Sequence, residues 1–138
     1  MNLEELKVSE SLKKKIIEEF NSILSKLNFN DAGYELFERW YIDGKIYFHI
    51  ILDETHANGI KDLRIIDPRK IKKIKNVIKE KLSNGLEIVK AIEEYYIYND
   101  KGISDGTQNG VKLSLDSVVY CHSGLLDAQT GLIRSYLH

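Results

Sequence analysis

The clearest hydrophobic pattern lies near the start of the chain. Between Ser9 and Asn28, apolar residues recur every three or four positions, which places them on one side of a helix. They are Leu12, Ile16, Ile17, Phe20, Ile23, Leu24 and Leu27. Ser9 or Ser11 can cap the first turn by accepting a backbone N–H bond, and residues 28–33 favour a loop. The pattern predicts an amphipathic helix over about residues 9–28 that packs on a sheet.

A different pattern predicts strands from about residue 37 to residue 122. Residues 37–52 are rich in aromatic and β-branched side chains and are divided by Asp43-Gly44, a pair suited to the two positive φ angles of a type I′ turn. We therefore expect a β-hairpin. Its second strand, over residues 45–52, is nearly continuously apolar, which is typical of a strand covered on both faces. Residues 53–61 have the composition of a loop.

The segment that follows Asp67-Pro68 fits two structures. Asp can cap a helix that begins with Pro, and the isoleucines at 71, 74 and 78 have helical spacing, so local rules favour a helix. The alternative is a short turn over residues 68–71 followed by a strand through about residue 79. Local rules alone therefore predict the helix.

In the last third of the chain, the pattern predicts further short strands and the first turn of a helix. Residues 86–98 end in four strongly β-prone side chains, and two short strands are expected at 111–115 and 117–122. An apolar pattern with helical spacing then begins, and the sequence stops about one turn later. It consists of Leu132, Ile133, Tyr136 and Leu137. We expect residues 132–138 to be the truncated start of a longer helix, and the chain to be a fragment.

Composition is compatible with one globular domain and with no global electrostatic attraction to a partner. The chain has 138 residues, of which 43% are hydrophobic and 30% are charged. A domain of this size can bury a real core. Its 20 Lys and Arg nearly balance its 21 Asp and Glu, so nucleic-acid or membrane binding would need a local patch. Cys121, the single cysteine, rules out an internal disulfide, and we expect synthesis in a reducing cytoplasm.

One local patch could contact phosphates or a partner. It is the basic run Arg69, Lys70, Lys72, Lys73 and Lys75, which continues to Lys79 and Lys81. Phosphate contacts by such residues give salt-dependent affinity. The alternative is a solvated face, because lysines also protect exposed strand edges from unwanted pairing.

The chain carries no pattern of catalytic, cofactor-binding or metal-binding residues. Cys121 and His122 could suggest an activated nucleophile, but neighbours on a strand point to opposite faces and cannot share a proton directly. The four histidines lack metal-ligand spacing, and no Gly-rich phosphate loop follows a strand. We therefore predict that the protein is not an enzyme.

Four blocks in order carry a family resemblance. They are Arg39-Trp40-Tyr41-Ile42-Asp43-Gly44, Leu63-Arg64-Ile65-Ile66-Asp67-Pro68-Arg69-Lys70-Ile71, Glu94-Tyr95-Tyr96-Ile97-Tyr98, and Tyr120-Cys121-His122-Ser123-Gly124-Leu125-Leu126-Asp127 with the terminal Ser135-Tyr136-Leu137-His138. In this order and spacing the chain resembles the portal vertex protein of T-even-like contractile-tailed bacteriophages. The resemblance favours the turn and strand after Pro68. It also implies that fold-determining residues are Trp40, Asp43, Gly44, Asp67, Pro68 and Gly124.

The resemblance implies a fold and a role in the virion. Residues 1–131 would form an α+β wing-like domain, with the N-terminal helix packed on a small antiparallel sheet or SH3-like barrel, and residues 132–138 would begin the stem helix. Portal proteins form a dodecameric ring at one capsid vertex, through which double-stranded DNA is packaged and ejected without sequence-specific contact. The partners implied are further copies of the chain, the major capsid protein and, through other parts, the packaging terminase and neck proteins. The host bacterial cytoplasm would be the place of synthesis.

A second hypothesis comes from a different class of protein. The chain could be a free-standing adaptor module that binds a peptide or nucleic acid through its Tyr-rich sheet and the basic run. This hypothesis requires an independently complete fold and predicts DNA binding that weakens with salt.

Overall fold

The computed structural model describes residues 3–53, 59–82, 85–103 and 109–137. Two helices come first, followed by six strands and one short 3-10 turn. In chain order they are α1 (Glu10–Lys26), α2 (Phe29–Asp43), β1 (Lys45–Leu52), β2 (Ile60–Ile66), β3 (Ile71–Lys81), β4 (Glu87–Tyr98), β5 (Val111–Leu113), the 3-10 turn (Leu115–Ser117) and β6 (Val118–His122). The predicted α+β class is confirmed.

Helix α1 agrees with the amphipathic pattern. It begins after Ser9, whose Oγ accepts a bond from the N–H of Leu12 at 3.4 Å. Glu10 in the first turn and Lys26 in the last turn complement the helix dipole. The predicted N-terminal helix is confirmed, and of the two candidate caps, Ser9 and Ser11, Ser9 supplies the bond.

Helix α2 replaces the predicted loop and the first strand of the predicted hairpin. Asn28 adopts a left-handed conformation with φ of 46°, and a second helix begins at once and runs to Asp43. The type I′ turn at Asp43-Gly44 was therefore wrong, because Asp43 is helical and Gly44 ends the helix in the left-handed region with φ of 69°. A helix end and a type I′ turn both favour Gly at positive φ, so the dipeptide did not separate them.

The strands form two antiparallel sheets of three strands each. The first sheet has the order β2-β1-β6, and the second has the order β3-β4-β5. In the first sheet Tyr47 of β1 lies opposite Ile66 on one side and Tyr120 on the other. Strand β2 begins at Ile60, so it takes the last two residues of the predicted 53–61 loop; residues 54–58 of that loop lie outside the described residues.

Three layers result from this arrangement. One face of the first sheet, including Phe48, Leu63 and Ile65, lines a cavity with Leu36 of α2. The opposite face packs on the second sheet through the buried residues Tyr47, Ile66, Ile71, Tyr96 and Val118. Strand β1 is thus covered on both faces, as its continuous apolar character predicted.

The link from β2 to β3 decides between the two structures considered for residues 68–79. A turn follows Asp67, whose carbonyl accepts a bond from the N–H of Lys70 at 2.9 Å, and β3 starts at Ile71. The predicted turn and strand are confirmed. Strand β3 pairs with β4 along its whole length, whereas β5 covers only the three residues of β4 from Tyr96 to Tyr98.

The last described residues do not show the predicted start of a stem helix. Ile133 forms an isolated antiparallel bridge with Leu126, and residues 134–137 lie in an irregular segment that ends in a turn. The boundary between a wing-like domain over residues 1–131 and a stem from residue 132 stays a prediction.

Candidate functional site

Two of the four blocks that carry the resemblance meet around Gly44. We call the contact among Tyr41, Gly44, Ser123, Arg134 and Tyr136 the Gly44 junction. The N–H of Ser123 donates to the carbonyl of Gly44 at 2.7 Å, and the N–H of Tyr136 donates to the carbonyl of Tyr41 at 3.3 Å. The Ser123 hydroxyl donates to the carbonyl of Arg134 at 2.7 Å. The end of α2, the end of β6 and the last segment are thereby held together.

Gly44 is required at the junction for two separate reasons. Its φ of 69° strains any residue that has a Cβ atom. A Cβ built on Gly44 would also collide with the backbone carbonyl of Arg134, and backbone cannot move aside as a flexible side chain can. Gly124, which follows β6 with φ of 80°, has open space around its own Cβ position, so only its backbone conformation favours glycine.

Aromatic rings form the outer side of the junction. The ring of Tyr136 stacks on Tyr41 with a centroid separation of 5.2 Å and an interplanar angle of 6°. Trp40 lies 5.2 Å from Tyr136 and 5.9 Å from Phe37, measured between ring centroids. Aromatic pairs of this kind contribute about 0.5–1.5 kcal/mol beyond the area they bury. The cluster therefore attaches the last segment to α2.

Asp127 closes the turn that precedes this segment. Its carboxylate accepts bonds from the N–H groups of Gln129 at 2.9 Å and Thr130 at 2.8 Å, and it pairs with the Arg134 guanidinium. These bonds favour the ionised form, so the pKa of Asp127 is held well below its ordinary value, with the Thr130 backbone as the largest cause. The turn positions Arg134 beside Gly44.

Asp67 and Pro68 lie in the turn between the two sheets. The Asp67 carboxylate accepts bonds from the backbone N–H of Arg69 at 2.9 Å and from its guanidinium at 2.7 Å. The bonds from the Arg69 side chain, followed by that from its backbone, lower the pKa of Asp67 to about 2. Pro68 and Asp43 line the same open cavity of about 410 Å³, so two of the four blocks meet here as well.

The five residues of the predicted basic contact do not form one positive surface. Arg69 pairs with Asp67 at 2.7 Å and Lys70 with Asp100 at 2.9 Å. Lys73 and Lys75 share the carboxylate of Glu94, at 2.7 and 3.3 Å. Lys72 alternates with Lys73 along β3 and so points to the opposite face. Four of the five positive charges are therefore paired, with three carboxylates between them, which weakens phosphate contact as a function for this run.

The residues considered for catalysis or metal binding are not assembled into a site. Cys121 and His122 are exposed neighbours on β6, and the Nδ1 atom of His122 accepts a bond from the N–H of Gly124 at 3.1 Å. Within the described residues, no group of three or more His, Cys, Asp or Glu side chains could hold a metal ion. No helix in the described part of the chain is long and apolar enough to cross a membrane.

Sequence reasoning missed the contact of the last segment with α2. Both segments belong to the blocks that carry the resemblance, but spacing along the chain cannot show that residues 41 and 136 are in contact. The structure turns the separated blocks into one connected region.

Comparison with known proteins places this region in a family. The family described as bacteriophage T4-like portal protein (Gp20) matches residues 1–138, the whole chain. The chain is 36% identical over 134 residues to the portal protein of Vibrio phage KVP40, covering 91% of this chain and 26% of that protein. It is 28% identical to the portal protein of Salmonella phage ViI, covering 100% of this chain and 27% of that protein.

These matches define a class of proteins, the portal proteins of bacteriophages. The chain belongs to the bacteriophage T4-like portal protein family. It spans about a quarter of the length of the relatives it matches. The resemblance found in the four blocks is therefore confirmed for the chain as a whole.

Proposed function

We propose that this chain is a wing-like, structural segment of a phage portal ring. The observation that carries the proposal is the family match over residues 1–138. The ring would sit at one capsid vertex, conduct double-stranded DNA during packaging and ejection, and hold the neck and tail. Further copies of the chain and the major capsid protein would be the direct partners of this segment.

The geometry supports an architectural role for the segment. The blocks that carry the resemblance form turns, a helix end and an attachment of the last segment, and these features fix relative positions of elements. Gly44, Asp67 and Asp127 act on backbone geometry through φ angles and hydrogen bonds. Contacts with the terminase and neck proteins would lie in parts outside this chain, and DNA would pass without sequence-specific contact.

Immunogold electron microscopy of purified phage heads tests the proposal. Antibodies raised against residues 1–138 should label one vertex of each head, because a portal occupies a single vertex. Label at every vertex, or on the tail alone, would contradict the portal role. Heads from a phage that lacks the reading frame provide the background.

A further inference from the structure

The β3–β4 hairpin extends beyond the rest of its sheet. We call its outer part, residues 77–82 and 85–92, the distal arm. Strand β5 pairs with β4 only from Tyr96 to Tyr98, so within the described residues the distal arm is a ribbon of two strands. A two-stranded hairpin is marginally stable by itself in water. A ribbon of this kind gains stability when another surface covers it.

The distal arm carries exposed apolar side chains on both of its faces. Val77 lies opposite Ile92, and Ile78 lies opposite Ala91. The exposed members are Leu82, Ile78, Ile88, Val77, Ile92, Val89 and Leu86, and they range from 40% to 63% exposed. Exposed apolar sets on a monomer are typical of an interaction surface.

The hairpin also carries a positive surplus. The distal arm itself contains three lysines and two glutamates, which is a surplus of one positive charge. Lys79 pairs with Glu87 at 3.3 Å and Lys90 with Glu80 at 3.1 Å. Lys81 takes part in none of the ion pairs found among the described residues. A partner surface with acidic character would complement this charge.

Helix α2 has the complementary surface. Tyr34, Phe37, Tyr41 and Ile42 recur at helical spacing on one side of the helix, and we call them the α2 stripe. Tyr34 is 79% exposed and Phe37 is 58% exposed, although both are large aromatic residues. The helix contains four acidic residues and one basic residue, Arg39, which pairs with Glu35. The stripe is thus apolar and aromatic with an acidic surround.

The distal arm of a chain cannot cover the α2 stripe of the same chain. Helix α2 packs on the face of the first sheet that includes Phe48, whereas the second sheet packs on the opposite face through Tyr47. The first sheet therefore separates the two surfaces. Two different, complementary surfaces on one chain make a head-to-tail contact, and head-to-tail contacts close into rings when the rotation permits.

We propose that the distal arm of one subunit docks on the α2 stripe of the next subunit. The inference rests on the proposed function, because it names a second copy of this chain in a ring as the partner. Val77, Val89 and Ile92 lie on one face of the arm and cover Tyr34 and Phe37. Lys81, on the same face, lies toward the acidic side chains of α2. Exposed aromatic residues of this kind commonly supply much of the binding energy of an interface.

Cysteine cross-linking in the full-length protein tests the contact. The variant carries Cys121→Ala, any cysteine outside residues 1–138 is replaced as well, and Val89→Cys in the arm is combined with Tyr34→Cys in the stripe. Both positions are exposed, at 56% and 79%, so the substitutions spare the core. A short bismaleimide added to assembled rings should give a ladder of covalent multimers on a denaturing gel. Each single-cysteine variant should stay at the monomer position, because like surfaces do not meet in a head-to-tail contact.

A matched control separates this contact from random collision. In the control Lys61→Cys, on the exposed side of β2, replaces Tyr34→Cys while Val89→Cys is kept. The control should give no ladder. A ladder of equal strength from the control would overturn the docking of the arm on α2.

The outcomes also separate this inference from the proposed function. Closed rings that give no ladder, and in which Val89→Cys reacts with a maleimide dye as fast as in unassembled protein, would overturn the inference and leave the portal role standing. Rings in which the arm cross-links only to capsid protein would overturn it as well. Failure of the full-length protein to form rings under any condition would overturn both.

Discussion

At the scale of single residues, Gly44 shows how one position joins distant parts of the chain. Its carbonyl receives the N–H of Ser123, and its missing side chain leaves room for the backbone of Arg134. Positive φ alone would make glycine favourable, as it does at Gly131 with φ of 67°. The close approach of Arg134 is the additional constraint.

Substitution at Gly44 should therefore destabilise the fold more than the same substitution at Gly131. Gly131→Ala should lower the free energy of unfolding by about 1–2 kcal/mol through its left-handed backbone. Gly44→Ala should lower the free energy of unfolding by at least about 1 kcal/mol more than Gly131→Ala does, because its Cβ atom would collide with the backbone of Arg134. Urea unfolding of the two variants measures the difference. Equal losses would show that the close approach does not constrain the junction.

Asp67 gives a prediction about acid stability. Its pKa is lowered from 3.8 to about 2, chiefly by the side chain of Arg69. Because the folded pKa lies below the unfolded one, ionised Asp67 stabilises the fold fully above about pH 4, and that contribution is lost as pH falls toward 2. Asp67→Asn should therefore be less stable than the native chain at neutral pH, and the gap should shrink in acid.

Carboxyl NMR titration of Asp67, with Arg69→Ala as the matched variant, provides the measurement. The pKa of Asp67 should move back toward its ordinary value when Arg69 is truncated. A midpoint that is already ordinary in the native chain would contradict the hydrogen-bonded turn.

At the scale of elements, the hairpin of β3 and β4 should not be uniformly stable. Its base is held by β5 and by the core residues Ile71 and Tyr96, whereas the distal arm pairs only with itself. In isolated chains, hydrogen-bonded amides of the distal arm should exchange at least about tenfold faster than those of residues 95–98. Hydrogen exchange measured by NMR decides this. Equal protection of the amides from exchange along the whole of β4 would mean that the distal arm is stable without a further surface packed on it.

The elements also show where sequence reasoning succeeds and where it fails. Helix α1 was predictable because its apolar stripe and the Ser9 cap both indicate the same structure. Helix α2 was not, because Phe37, Trp40 and Tyr41 are β-prone and tertiary packing overrode that preference. The better signal was the spacing of Leu36 and Trp40, which lie on one side of the helix and are less exposed than their neighbours.

Local rules predicted the wrong structure for β3 for a similar reason. Its isoleucines have helical spacing, but pairing with β4 along the whole strand outweighed that pattern. The turn before it depends on Asp67, which bonds to the N–H of Arg69 instead of capping a helix. The Gly44 junction could not be predicted, because it is made by residues that are about ninety positions apart.

At the scale of the whole molecule, the local ion pairs of the basic run favour a structural segment over a DNA-binding module. We expect no salt-dependent affinity of this chain for duplex DNA that depends on Lys72, Lys73 and Lys75. Anisotropy titrations between about 50 and 200 mM salt measure it, since phosphate contacts lose affinity steeply over that range.

The matched control reverses three lysines elsewhere. Charge reversal at Lys72, Lys73 and Lys75 should have no larger effect on any residual binding than reversal at Lys13, Lys14 and Lys15 of α1. A selective loss at the basic run would support the adaptor hypothesis instead.

Association of the full-length protein tests the account most directly. A portal ring needs an interface large enough to offset the entropy of association, and we expect this chain to supply only part of that interface. Light scattering of the full-length protein beside residues 1–138 gives the two masses. We predict a closed ring of uniform mass for the full-length protein and a monomer or weak oligomer for the isolated segment. A full-length protein that stays monomeric under every assembly condition would contradict the account.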